Sequence, residues 1–229
     1  MSGIAEAPGP QPLEAPRAAA IAGVIFSVLM IIGLGLVRYA IPADLRVPGA
    51  WLIEPNRRNA IGLALYLVPF AGIAFLWFLG VLRSRMGELE DQFFATVFLG
   101  SGLLFVASMF VAAAMTGALI ESVEVGNISS ETYYFGRGAS DALLNLFAMK
   151  MAGVFMVATC TIGLRIAIIP RWVALIGYAC ALVLVLVIAN WRWITLVFPV
   201  WMFLVGTHIL LTECRSRHAS RACAEHDPF

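Results

Sequence analysis

Six apolar stretches, each long enough to cross a bilayer, take up most of this chain: Ala18 to Val37, Ala60 to Leu82, Gln92 to Ile120, Ala142 to Leu164, Trp172 to Trp191 and Trp193 to Thr212. At 1.5 Å of rise per residue, roughly 20 helical residues span the ~30 Å of a hydrocarbon core. Only Lys150 and His208 interrupt these runs. Hydrocarbon offers no partner to a backbone N–H or C=O, so a spanning segment must bond its amides internally, as a helix does, or close them into a barrel. Barrel strands would show about ten residues of alternating polarity. Continuous apolar runs therefore predict an all-α fold, a polytopic six-transmembrane-helix bundle.

Composition narrows the partners. The chain is 61% hydrophobic and 13% charged with a net charge of +1, so nothing draws it to nucleic acid, and the lipid bilayer is the partner that the pattern requires. Fourteen arginines stand against the single Lys150, a bias that points to a GC-rich bacterial source and hence to a bacterial plasma (inner) membrane. The four cysteines are read as reduced thiols, because Cys160 and Cys180 lie inside apolar runs and Cys214 and Cys223 follow the last one.

The expected organisation has three parts. Residues 1–16, with four prolines and no periodicity, should be a disordered cytoplasmic N-terminus and not a cleavable signal. Residues 17–212 form the membrane domain, with helices at about 18–39, 60–83, 92–120, 142–166, 171–190 and 193–212. Residues 213–229 form a charged cytoplasmic tail. Counting Lys and Arg in the connecting segments gives eight on the side of the termini and six on the other, and the segment from Glu121 to Asp141 is acidic, so both termini are placed in the cytoplasm.

The connections carry further expectations. Ala40 to Asn59 should lie along the interface with Trp51 as its anchor. Glu121 to Ser140 should be a loop whose Tyr133, Tyr134 and Phe135 join an interfacial aromatic belt, and Asn127-Ile128-Ser129 is a chance sequon. Met86 to Asp91 reads as a tight turn, with Gly87 ending one helix and Glu88, Glu90 and Asp91 favouring the start of the next. Asn190 to Arg192 joins the last two helices. Pro16-Arg17-x-x-Ala20-x-x-Gly23 recurs as Pro170-Arg171-x-x-Ala174-x-x-Gly177, which reads as the common preference of a helix entrance for proline, arginine and small packing residues, and not as a repeat.

Among candidate site residues Lys150 matters most, since an ammonium group within hydrocarbon costs several kcal/mol unless it snorkels, pairs or meets water. Snorkelling, or an ion pair with Asp141 or Glu121, explains it structurally. A functional alternative places it with Asn145, Tyr66, Thr116 and Thr195 in the outer third of the bundle and Arg38 at the rim, lining an outward-facing pocket for a small anionic or polar solute that Pro69 helps to open. Leu99-Gly-Ser-Gly with His208 lacks the first glycine of the rhomboid-protease pattern, so no catalytic residue is assigned. Haem would need a second histidine at depth. The spacing of Cys214, His218, Cys223 and His226 does not suit zinc, so no cofactor or metal is expected.

Three segments resemble uncharacterised multi-pass membrane proteins of actinobacteria: Leu67-Val-Pro-Phe-Ala-Gly-Ile-Ala-Phe-Leu-Trp-Phe, Asp91-Gln-Phe-Phe-Ala-Thr-Val-Phe-Leu-Gly-Ser-Gly and Ile169-Pro-Arg-Trp-Val-Ala-Leu-Ile-Gly-Tyr. The resemblance, over about residues 17–212, implies a bacterial inner-membrane helical protein and assigns no activity to any residue. The expectation for function is a structural or partner-binding membrane protein, with a possible membrane-protein partner or a homo-oligomer. The alternative is a small-solute transporter or channel at Lys150, and an intramembrane enzyme comes third. A transporter should show a solvated cavity at Lys150, a partner-binding protein a small-residue groove such as Ala148-x-x-x-Ala152 turned outward, and an enzyme two titratable groups at one depth.

Overall fold

The structure, a computed structural model, describes residues 15–41, 54–85, 92–126, 129–165, 170–186 and 193–225. Among these residues every regular element is helical: α1 (Ala15–Ala40), α2 (Pro55–Arg85), α3 (Gln92–Glu124), α4 (Ser130–Ala142), α5 (Met149–Arg165), α6 (Arg171–Leu186) and α7 (Val197–Glu225). A π-helical turn, Leu143–Ala148, joins α4 to α5 into one unbroken rod, and a 3₁₀ turn, Ile194–Leu196, leads into α7. Five helical rods are long and apolar enough to cross a membrane, running from 19 residues (Ile194–Thr212) to 36 (Ser130–Arg165). The sixth apolar run appears as α6, only 16 residues long.

The apolar surface fits a hydrocarbon surround for these rods. A helix on a soluble protein keeps a polar outer face. Here the outer faces are as apolar as the inner ones: Ile21, Ile25, Val28 and Ile32 are exposed on α1, and Leu63, Phe70, Ile73 and Trp77 on α2. Charged side chains gather near the two ends of the bundle. One end, called here the Arg38 end, carries Arg38, Arg57, Arg58, Glu121, Glu131, Arg137 and Asp141, and the opposite end carries Arg17, Arg83, Arg165 and Arg171.

The centre is built from phenylalanine. Phe26 of α1, Phe75 and Phe78 of α2, Phe98 and Phe105 of α3, Phe155 of α5 and Phe198 of α7 are all essentially fully buried. Their rings form one contiguous cluster, with centroids 4.9 Å apart for Phe26–Phe75, Phe98–Phe155 and Phe105–Phe198 and 5.1 Å for Phe75–Phe155. Because lipid tails are as apolar as these rings, helix association here rests on close packing and on tilted or edge-on ring contacts.

Small residues set the close approaches. A Cβ on Gly206 of α7 would lie 3.1 Å from the Ala20 carbonyl oxygen of α1, and one on Gly153 of α5 would lie 3.1 Å from that of Ala181 on α6. The two halves of the Pro-Arg echo serve the same end locally. Ala20 and Ala174 are completely buried, and a Cβ on Gly177 would come within 2.4 Å of Cys160 Sγ.

Two expectations need correction. The segment 121–140 is not a loop: α3 runs to Glu124, Gly126 turns the chain at φ +71°, and α4 starts at Ser130. Ser129 caps it, its side-chain oxygen accepting the Thr132 amide. Gly136 fits against Leu119 of α3, which buries Tyr133 and leaves Phe135 outside. Ala148 and Ala152 do not form an outward groove, since both are completely buried. Residues 1–14, the Trp51 segment, the Met86–Asp91 turn, Asn127, the Asn190–Arg192 connection and His226 lie outside the described residues, as do the side chains of Cys214, His218 and Cys223.

Candidate functional site

The candidate site residues all fall toward the Arg38 end, but they do not converge on one pocket. Lys150 lies in the first turn of α5 and points across to α6, where its ammonium donates to the Val185 carbonyl oxygen at 2.6 Å. Val185 lies in the last described turn of α6. A charge-assisted hydrogen bond contributes about 1.5–3 kcal/mol, close to the roughly 2.5–3.5 kcal/mol that a lysine costs at the centre of a spanning helix. The two nearly cancel, so the bond ties α6 to α5 and adds little net stability.

Arg38 follows the same logic. It sits in the last turn of α1, donates from Nη2 to Thr195 Oγ1, and stacks its guanidinium 4.9 Å over the Trp193 ring. At the opposite end Arg165, in the last turn of α5, lies 5.0 Å over Phe94. Basic side chains thus pin helices to their neighbours. Tyr66 is 66% exposed and packs on Phe70 on the outer face of α2. Asn145 lies in the π-helical turn, which touches the Ile194–Leu196 turn.

Thr116, unlike Lys150, Arg38, Tyr66 and Asn145, lines a cavity. That cavity, about 100 Å³, lies between α1, α2, α3 and the end of α4. Its walls are aliphatic, with Met30, Leu34, Ala64 and Met109 at the buried side and Leu65 and Leu67 toward the outside. Its polar groups are Thr116, Ser140 and Asp141. Thr116 donates to the Ala112 carbonyl at 2.8 Å and Ser140 to that of Gly136 at 2.9 Å. Both hydroxyls spend their protons on their own helices and offer only lone pairs outward. Asp141, with its side chain 59% exposed, adds a carboxylate, 4.0 Å from Arg137.

Two departures from regular α-helix flank the cavity. Pro69 in α2 has no N–H for the Leu65 carbonyl, and Leu65 is a wall residue. Across from it, the π-helical turn begins at Leu143 and places Leu144 in the wall. Such π turns concentrate at functional positions in helical proteins.

Of the residues expected to share a pocket, Thr116 lines this cavity and Lys150 does not, while Ser140 and Asp141 supply its other polar groups. Ser140 and Asp141 were missed because they were assigned to a loop. The signal that identifies them is a capping serine at 129 followed by Tyr133, Gly136 and Ser140, which fall on one helical face. No protein-family model matches this chain, and neither the curated proteins nor the solved structures give a significant match.

Proposed function

We propose that this chain is a bacterial inner-membrane protein that crosses the bilayer six times, with both termini in the cytoplasm, and that its role is to bind within the membrane rather than to conduct or to catalyse. The phenylalanine cluster carries this reading. Seven buried rings from five helices close the middle of the bundle, and the cavity sits to one side of them, between α1, α2 and α3. A sixth crossing by α6 is supported by its apolar character and by its close packing along α5. The orientation is supported by the charge at the two ends: the described side chains at the Arg165 end are basic, while those at the Arg38 end mix Arg with Glu and Asp.

A second reading, permeation of a small anion past Lys150, draws support from the π-helical turn just before that residue. Flux measurements separate the two. Sealed vesicles containing the full chain should release trapped chloride no faster than empty vesicles, and the Lys150→Met variant should behave identically. Chloride release that depends on Lys150 would replace the binding role with the transport role.

A further inference from the structure

The cavity beside α1 combines three properties: aliphatic walls, an opening on the bilayer side, and a polar end that presents acceptors. Met30, Leu34, Ala64 and Met109 are buried at its back, while Leu65 and Leu67, both half-buried, mark the side turned toward lipid. An occupant therefore enters from the membrane and brings an apolar chain. At the polar end the Thr116 and Ser140 protons are already donated to Ala112 and Gly136, and Asp141 contributes a carboxylate. A group that binds at Thr116 and Ser140 must therefore supply donors. Arg137, one helical turn before Asp141 and 4.0 Å from its carboxylate, places a cation beside this acceptor set, where a phosphate would be favoured.

We propose that the cavity holds a short stretch of one hydrocarbon chain of a zwitterionic aminophospholipid, with its primary ammonium on Asp141 and its phosphate toward Arg137. This rests on the membrane-binding role proposed above and gives that role a ligand class. One carboxylate beside one guanidinium matches a head group that carries both charges better than a solute that carries only a negative one. The requirement for N–H donors separates a primary ammonium from the quaternary ammonium of a choline head, which has none. The space is real on the α1 side: a Cβ added at Gly33 would meet nothing nearer than the Ala64 carbonyl oxygen at 4.0 Å.

The test uses the full chain in phosphatidylcholine nanodiscs doped with equal amounts of phosphatidylethanolamine and phosphatidylglycerol. Lipid that stays bound on release from the disc is counted by native mass spectrometry. The wild type should retain the ethanolamine lipid over the glycerol lipid by at least roughly tenfold, the size of one charge-assisted hydrogen bond, and Asp141→Asn should reduce that preference to about twofold or less. Gly33→Leu, which fills the cavity, should abolish retention of both. Equal retention of the two lipids, an unchanged preference in Asp141→Asn, or no retained lipid at all would overturn the proposal. Asp141 is largely exposed, so its variant keeps the test decisive even if Gly33→Leu does not fold. Because chloride release is a separate readout, a lost lipid preference with silent vesicles defeats the ligand assignment alone, whereas chloride release defeats the binding role.

Discussion

Replacing Phe75 by alanine measures how much the ring cluster contributes to holding the helices together. Phe75 is completely buried and has five ring neighbours, Phe26, Phe155, Phe105, Phe198 and Phe78, at centroid distances of 4.9, 5.1, 5.3, 6.0 and 6.3 Å. In a water-soluble core the change would cost ~3–5 kcal/mol, part of which is transfer of the ring out of water. In a bilayer the separated helices already sit in hydrocarbon, so that part is absent and the loss is one of contact. Ring pairs contribute roughly 0.5–1.5 kcal/mol each and do not add fully when they share a ring, which puts Phe75→Ala at about 2–3 kcal/mol. Phe70→Ala is the matched control. Phe70 lies on the same helix, is 47% exposed, and touches only the Tyr66 ring, so its loss should stay under about 1 kcal/mol. Equilibrium unfolding in mixed micelles, followed by far-ultraviolet circular dichroism, gives both values. If Phe75→Ala proves no more destabilising than Phe70→Ala, the assignment of inner and outer faces is wrong.

Two other substitutions test the packing and the Lys150 bond. Gly102→Ala should cost about 1–3 kcal/mol in the same unfolding assay, because its Cβ would stand 2.7 Å from Leu79 Cδ1 and 3.3 Å from the Phe155 ring. Gly100→Ala, which meets nothing within 4 Å, should be neutral or stabilising by up to about 1 kcal/mol. Lys150→Met should change global stability by less than about 1 kcal/mol, since the lost bond to Val185 and the relieved burial of charge nearly cancel. It should nonetheless speed hydrogen exchange in the last described turn of α6, and unchanged exchange there would show that the bond does not hold that turn.

What could be read from the sequence follows from what hydrocarbon demands. Long uncharged runs had to be helices, and the structure has helices at all six places. Which side of each helix faces inward was not legible, because Leu104 and Phe105 are equally apolar while one is exposed and the other buried. A soluble helix announces its core by the period of its polar residues, and a membrane helix has no such contrast. Ala148 and Ala152 show the same ambiguity, since small residues suit an outward groove and an inner contact equally well, and here they are inner. The 121–140 segment was misread for the opposite reason: Glu131, Arg137 and three glycines resemble a loop, yet a capping serine and the Gly136–Leu119 contact lay α4 along α3. The π-helical turn has no sequence signature in Leu-Leu-Asn-Leu-Phe-Ala. The candidate site shared this fate. Thr116 lines the cavity, whereas Lys150 bonds to α6 and Arg38 to Thr195, contacts that depend on where the neighbouring helices lie and not on the residues around each cation.

The account turns on a bundle whose middle is sealed by phenylalanine. Ser27 and Ser101 sit at the level of the rings, buried next to Phe26 and within one turn of Phe98 and Phe105, and each donates its hydroxyl to a carbonyl of its own helix, Gly23 and Val97. In a chain freed of its native cysteines, Ser27→Cys and Ser101→Cys should stay unlabelled by a membrane-impermeant maleimide applied from either side of the membrane, while Arg57→Cys and Glu131→Cys should react readily. Labelling of either serine position at a rate comparable to Arg57→Cys would reveal water along the bundle axis and contradict the sealed centre.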